Sequence, residues 1–136
     1  MFLGEFTHSL DGKGRVVLPA RFRDGLAEAV ATSHRDTCLA LWTPEEFRNQ
    51  AKVMGDRLRG DAGDRSMARV FFASAQEVTP DRQGRVMIAP NLRELARIRL
   101  DAEVVVTGVG AYVEIWDAEI WAGQKSAGTA RMEDVN

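Results

Sequence analysis

Two stretches of this chain, Asp11-Gly-Lys-Gly-Arg15-Val16 and Asp81-Arg-Gln-Gly-Arg85-Val86, place a carboxylate four residues before a guanidinium with a glycine between them. A glycine at such a spacing supplies the positive φ of a tight turn, and across that turn the Asp can hold the Arg in a fixed direction. One reading is purely structural: an exposed ion pair that steadies a turn and contributes about 0 to 1 kcal/mol. The other is that Arg15 and Arg85, oriented by Asp11 and Asp81 and flanked by Lys13 and Arg82, present hydrogen-bond donors to DNA phosphates and base edges. Arg21, Arg23 and Arg93 follow closely in the chain, either extending that surface or forming a solvated helix face.

Catalysis finds little to work with. The chain has two histidines, His8 and His34, and one cysteine, Cys38, and carries no GxSxG or HExxH pattern that would bring a nucleophile and a base together. Gly12-Lys13-Gly14 resembles a phosphate loop only superficially, since a strand rather than a helix is expected after it. A lone Cys beside two His makes neither an internal disulfide nor a zinc site. No enzyme activity, metal, cofactor or small-molecule substrate is expected.

The elements that must position these turns come in two copies. Asp11 to Asp24 and Asp81 to Glu94 superpose at an offset of 70, with five of 14 positions identical. Farther on, Leu41-Trp42 and Ile115-Trp116 match at an offset of 74. A two-copy period of this length points to a pseudo-twofold unit rather than a solenoid. Each copy reads as a β-hairpin closed at the glycine turn, Phe2–His8 with Arg15–Leu18 and Gln76 through Ile88, followed by a short helix at Pro19 or Pro90. A second hairpin is clear in the later copy, where Val104–Thr107 and Tyr112–Trp116 flank a Gly108-Val109-Gly110 turn, and weaker in the earlier one, ending in Thr37–Trp42. Thr43-Pro-Glu-Glu46 fits a helix capping box, and Asp117 is its counterpart. Between the copies, Phe47, Ala51, Met54 and Leu58, then Met67, Val70 and Phe71, recur at helical spacing, predicting two amphipathic helices packed between the halves.

The organisation expected is therefore a first repeat over 5–47, connecting helices over 48–75, a second repeat over 76–121 and a flexible tail over 122–136. At 136 residues, 45% hydrophobic and 28% charged, the chain is in the range of a single soluble domain. No run approaches a membrane span and the first residues lack a signal-peptide layout, so a cytoplasmic location and no membrane partner are expected. The formal net charge of −2 conceals two basic segments. Residues 11–23 carry four basic groups against Asp11, and residues 81–99 carry five against Asp81 and Glu94, a local +3 in each. A phosphate backbone responds to that local potential rather than to the net charge.

The stretch Met1 to Arg23, together with Ala68 to Arg85, resembles the MraZ family over nearly the whole chain. The resemblance implies an α+β fold, mainly β with short helices, in which tandem SpoVT/AbrB-like repeats form an intramolecular pseudo-twofold, β-barrel-like unit. It also implies a sequence-specific transcriptional regulator that binds double-stranded DNA at short repeated promoter sites. The implied target is its own operon in the division and cell-wall gene cluster, with the protein assembled as a ring homo-oligomer at the nucleoid. The family's Asp-x-x-x-Arg motif falls on Asp11/Arg15 and Asp81/Arg85. Ala89 stands where the family pattern has Pro, a departure expected to shift the start of the second short helix. Two alternatives remain open: a scaffolding ring that binds protein partners, and an antitoxin or transition-state regulator of the AbrB type.

Overall fold

The computed structural model describes residues 1–135. In chain order the elements are β1 (Phe2–Ser9), β2 (Arg15–Val17), α1 (Ala20–Arg23), β3 (Ala29–His34), β4 (Cys38–Trp42), α2 (Pro44–Arg57) and α3 (Ala62–Ser74). They continue with β5 (Gln76–Val78), β6 (Arg85–Met87), α4 (Pro90–Leu95), β7 (Glu103–Gly110), β8 (Val113–Asp117) and α5 (Ala118–Val135). The α+β class is as expected, with strands dominating the centre.

Strand pairing reveals an internal dyad. One six-stranded sheet runs β1-β7-β8-β4-β3-β5, and a separate ribbon pairs β2 with β6. At the offset of 74, Leu39, Ala40 and Leu41 correspond to Val113, Glu114 and Ile115, and the ladder pairs Leu39 with Ile115, Ala40 with Glu114 and Leu41 with Val113. The same arithmetic holds in the ribbon at the offset of 70, where Val16 faces Val86 and Arg15 and Val17 face Met87 and Arg85. Each ladder is thus self-complementary about its central pair, as a twofold requires.

Three expectations change here. The strands flanking each glycine turn do not form a hairpin ladder: β1 pairs with β7 and β5 with β3, while β2 pairs with β6. The turns exist, but their strands part and find partners elsewhere, because that exchange lets both halves share one core. The unit is also not a closed barrel. β2 and β6 are three residues each and pair only with each other, so β1 and β5 remain sheet edges. Finally, Gly108–Gly110 lies within β7 rather than in a turn, because β1 pairs along its full length to Phe2↔Gly110. At Gly108 the backbone of Phe2 and Leu3 approaches so closely that a Cβ would not fit.

The core lies between the sheet and the ribbon. Leu39, Leu41, Val104, Val106, Val113 and Ile115 from the sheet join Val16, Leu18, Val86 and Ile88 from the ribbon strands and their extensions, with Phe22 and Leu92 from the short helices. At about 25 cal/mol per Å2 of apolar surface removed from water, side chains of this size each contribute about 1.5 to 3 kcal/mol. Phe2 and Phe6 both pack edge-on against Phe22, with ring centres 5.5 and 5.4 Å away.

The two connecting helices form as expected but sit elsewhere. Thr43 Oγ1 accepts a hydrogen bond from Glu46 N (3.1 Å) with Pro44 in the first turn, and Asp61 caps α3 through Asp64 N (2.8 Å). The reciprocal half of the capping box does not form, as the Glu46 carboxylate accepts from Asn49 instead. Instead of packing between the halves, α2 lies against β3 and β4 and α3 against β3 and α2, and α2 has no buried residue. Their apolar stripe is used locally, as in the stacking of Phe47 on Phe71. The segment expected as a flexible tail is helical through Val135. Asp117 Oδ2 caps it by accepting from Glu119 N and Ile120 N, and alanines and long straight side chains favour the helix even though every residue from Ala122 to Val135 is exposed.

Candidate nucleic-acid interface

The first turn is built around Asp11. Its Oδ1 accepts from Lys13 N and Arg15 N, both at 2.9 Å, and its Oδ2 accepts from Arg15 Nε at 2.8 Å. Asp81 repeats this with Gln83 N and Arg85 N at 2.9 Å and Arg85 Nε at 2.7 Å. Both turns close through the same backbone bonds, Asp11 N to Arg15 O and Asp81 N to Arg85 O, each 2.9 Å. The backbone N–H of Arg15 or Arg85, first among several donors, holds its Asp carboxyl below the ordinary carboxylate range. Each carboxylate therefore stays ionised, and each arginine stays aimed.

What the pairing leaves free matters most. Arg15 and Arg85 bond their aspartates through Nε, and among the described residues neither has a partner for its Nη atoms. The N–H groups on the terminal edge of each guanidinium thus remain available, in the fork that matches a phosphate or the O6/N7 edge of guanine. Opposed residues of an antiparallel pair share a face, so Arg15, Met87, Val17 and Arg85 lie on one side of the ribbon and Val16 and Val86 on the other. Val16 and Val86 are buried in the core, whereas Met87 is 52% exposed, which makes the arginine side the solvent side. Arg85 lies two positions along β6 from the partner of Arg15. With strands about 4.8 Å apart and a rise of about 3.4 Å per residue, the two Cα atoms are about 8 Å apart.

Arg23 and Arg93, expected as further contacts or as a solvated helix face, each donate to a backbone carbonyl of their own copy. Arg23 Nε donates to Leu18 O and Arg93 Nη1 to Ile88 O, both at 3.1 Å. Each guanidinium lies over the glycine of the opposite turn: a Cβ on Gly14 would run into Arg93, and one on Gly84 into Arg23. Gly14 and Gly84 also hold φ of +81° and +78°, so they are required twice over. Backbone bonds from Leu18 N to Gly84 O and from Ile88 N to Gly14 O, each 2.8 Å, tie each turn to the other copy's strand. Lys13 and Arg82 are exposed beside the turns, and Arg21 is exposed with its guanidinium carbon 5.4 Å from the Phe6 ring centre.

One participant escapes sequence reasoning. Ala89 takes φ −63° and ψ 150°, close to the −52° and 138° of Pro19. Helix α4 begins at Pro90, the position that the offset of 70 assigns to Ala20 at the start of α1, so its start is not shifted. The side chain of Gln76 makes this possible: its Oε1 accepts from Ala89 N (3.0 Å), the donor a proline lacks, and its Nε2 donates to Met87 O (3.2 Å). Gln76 corresponds to Phe6 at the offset of 70, so the internal repeat offers no hint of its role. The loss of Pro at position 89 is the available signal.

Away from the ribbon, His34 Nε2 lies 2.8 Å from Tyr112 Oη, and Tyr112 Oη donates to Glu114 Oε2 at 3.2 Å. Burial lowers the His34 pKa and raises those of Glu114 and the Cys38 thiol. This cluster lies against stacked Trp42 and Tyr112 rings, 4.3 Å apart, and acts as packing for the sheet's far side. Among the described residues no group of three His, Cys, Asp or Glu could hold a metal ion, and no helix is long and apolar enough to cross a membrane.

A family model described as "MraZ protein, putative antitoxin-like" matches the chain in two stretches, residues 1–63 and 71–133. The chain belongs to the MraZ family. The two matched stretches start at positions 1 and 71, in step with the repeat of the turns. Among MraZ relatives, a protein of Carboxydothermus hydrogenoformans is 40% identical across 99% of this chain and 94% of its own length. One from Nocardioides sp. is 43% identical across 99% and 93%, and one from Acetivibrio thermocellus is 43% identical across 89% and 84%. All three carry the name "Transcriptional regulator MraZ".

Proposed function

We propose that this MraZ protein is a sequence-specific DNA-binding transcriptional regulator that seats the β2–β6 ribbon in the major groove. The observation that carries the reading is the pair of Asp-held arginines with free Nη edges, presented on one exposed ribbon face and related by the internal dyad. A two-stranded ribbon fits a major groove about 12 Å wide, and two arginines whose Cα atoms stand about 8 Å apart can carry their donors to the edges of nearby base pairs. Arg15 and Arg85 make the principal contacts, Asp11 and Asp81 orient them, and Lys13, Arg82 and Arg21 meet phosphates. Arg23 and Arg93 act chiefly by bracing the turns.

The chain forms a ring of subunits that engages short repeated sites upstream of its own operon, in a cluster of division and cell-wall genes, as a cytoplasmic, nucleoid-associated protein. Assembly supplies what one chain lacks. With a net charge of −2 and a small contact face, a single copy binds weakly, whereas linked copies on successive sites gain avidity without new contacts. The test is fluorescence anisotropy with the DNA upstream of the protein's own gene against a shuffled sequence, over a salt series, for the wild type, Arg15→Ala and Arg85→Ala. Tight binding to the native sequence that collapses in both variants is expected. Equal, weak binding to both sequences, unchanged by either substitution, would return the turns to a purely structural role.

A further inference from the structure

Although the ribbon is twofold, its flanks are not. In the first copy, Arg21 on α1 is exposed, has no carboxylate partner among the described residues, and lies over the ring of Phe6. A cation over an aromatic face is held in place while its N–H edge stays free to donate. At the offset of 70 the corresponding residues are Asn91 and Gln76. Asn91 is neutral, and the Gln76 side chain accepts from Ala89 N and donates to Met87 O. Pro19 in the first copy has no N–H to satisfy, which frees position 6 for an aromatic; Ala89 in the second does, which demands an amide at position 76. The proline difference and the charge difference are therefore one linked difference.

We infer that Arg21 makes a phosphate contact with no counterpart in the second copy, so that each chain binds its DNA in one orientation despite the internal dyad. This rests on the DNA-binding reading above. Arg21 lies four positions after Val17, which faces Arg85 on the ribbon. Their Cα atoms can be no more than about 14 Å apart. With the ribbon seated in a groove about 12 Å wide, a side chain on that flank meets the groove's phosphate wall. Asn91 on the opposite flank meets the other wall without a charge.

The experiment uses the full-length protein on the DNA upstream of its own gene and reads two quantities, the slope of log K against log[salt] and the hydroxyl-radical footprint of each strand. A phosphate contact contributes about −0.9 to that slope. Arg21→Ala is expected to make the slope shallower by about 0.9 per engaged subunit and to withdraw protection from one flank only. Asn91→Arg is expected to steepen it by a similar amount and extend protection on the other flank. Both residues are exposed, so neither substitution threatens the fold. Unchanged slopes and footprints in both variants, with Arg15→Ala and Arg85→Ala still abolishing binding, would overturn the orientation inference alone. Wild-type binding in Arg15→Ala and Arg85→Ala would overturn the DNA-binding reading beneath it.

Discussion

Toward the ribbon, the six-stranded sheet presents Leu39, Leu41, Val113 and Ile115, all fully buried and related in pairs by the dyad. Toward the opposite side, the dyad-related Trp42 and Trp116 bond different partners, Thr32 Oγ1 and Glu114 Oε1, and the covering helices differ as well. The α2–α3 pair lies against β3 and β4, and α5 against β7 and β8. The α2–α3 pair leaves Val53, Met67 and Val70 more than 40% exposed around an open cavity of about 530 Å3. The two copies are alike on the face that packs against the ribbon and differ on the opposite face, where Ala40 pairs with Glu114 and Trp42 of the first copy stacks on Tyr112 of the second. A self-complementary contact restrains both copies at once, because a change on either side of the dyad must suit the same partner surface.

Core truncation on each side is the strongest way to break this comparison. Leu41→Ala, at the dyad-related centre, is expected to lower stability by about 2 to 5 kcal/mol, whereas Val53→Ala on α2 should stay within about 0.5 kcal/mol. Chemical denaturation of the two variants checks the contrast; equal losses would mean that both sides are packed alike. Next in size, Gly84→Ala forces a side chain into the left-handed region and against Arg23, with an expected cost of about 1 to 3 kcal/mol. Its α2 counterpart is Gly55→Ala, where a Cβ meets nothing within 4 Å. There thermal unfolding should show a gain of about 0.4 to 1 kcal/mol, as expected for a helical glycine in open space.

The smallest effect concerns pH. Asp11 and Asp81 have pKa values lowered by the N–H groups and guanidinium of their arginines. For a depressed carboxylate the stabilisation is fully present above the unfolded value of about 3.9 and is lost as pH falls through the lower folded value. Carbon-detected NMR titration should place both midpoints below about 3.9, and Arg15→Ala should move only that of Asp11 upward. A parallel shift of Asp81 would show that the two turns titrate as one network.

Much of the candidate site is legible in the residues alone. The Asp-x-x-Gly-Arg spacing identifies both turns and both ion pairs, since a bond between residues four apart closes locally and needs no tertiary partner. The helix caps at Thr43 and Asp117 are readable for the same reason. The β3–β4 hairpin is fainter because its turn places Asp36 and Thr37 at φ of 64° and 68°, where a glycine would have announced it. Arg23 and Arg93 read as an extension of the contact surface or a solvated helix face, and only the fold shows them lying across the opposite copy's glycines. Gln76 is invisible because its partner, Ala89 N, lies beyond a turn and a strand.

Spacing along the chain was enough to establish the duplication, the two arginine-bearing turns, the helical segments short of the last one and the caps at Thr43 and Asp117, while the residues of the two motif copies carried the resemblance to the family. All of these depend on residue patterns within one element or on comparison of one copy with the other. Which strands pair, that β2 meets β6 of the other copy, and that α2 and α3 cover the sheet's far side were settled in three dimensions. Alternation in a strand states which face is buried but not what it is buried against, and the ladder hydrogen bonds that choose a partner are the same for every strand. The choice was left to the shared core, which closes about Val16 and Val86 only when the two copies exchange strands.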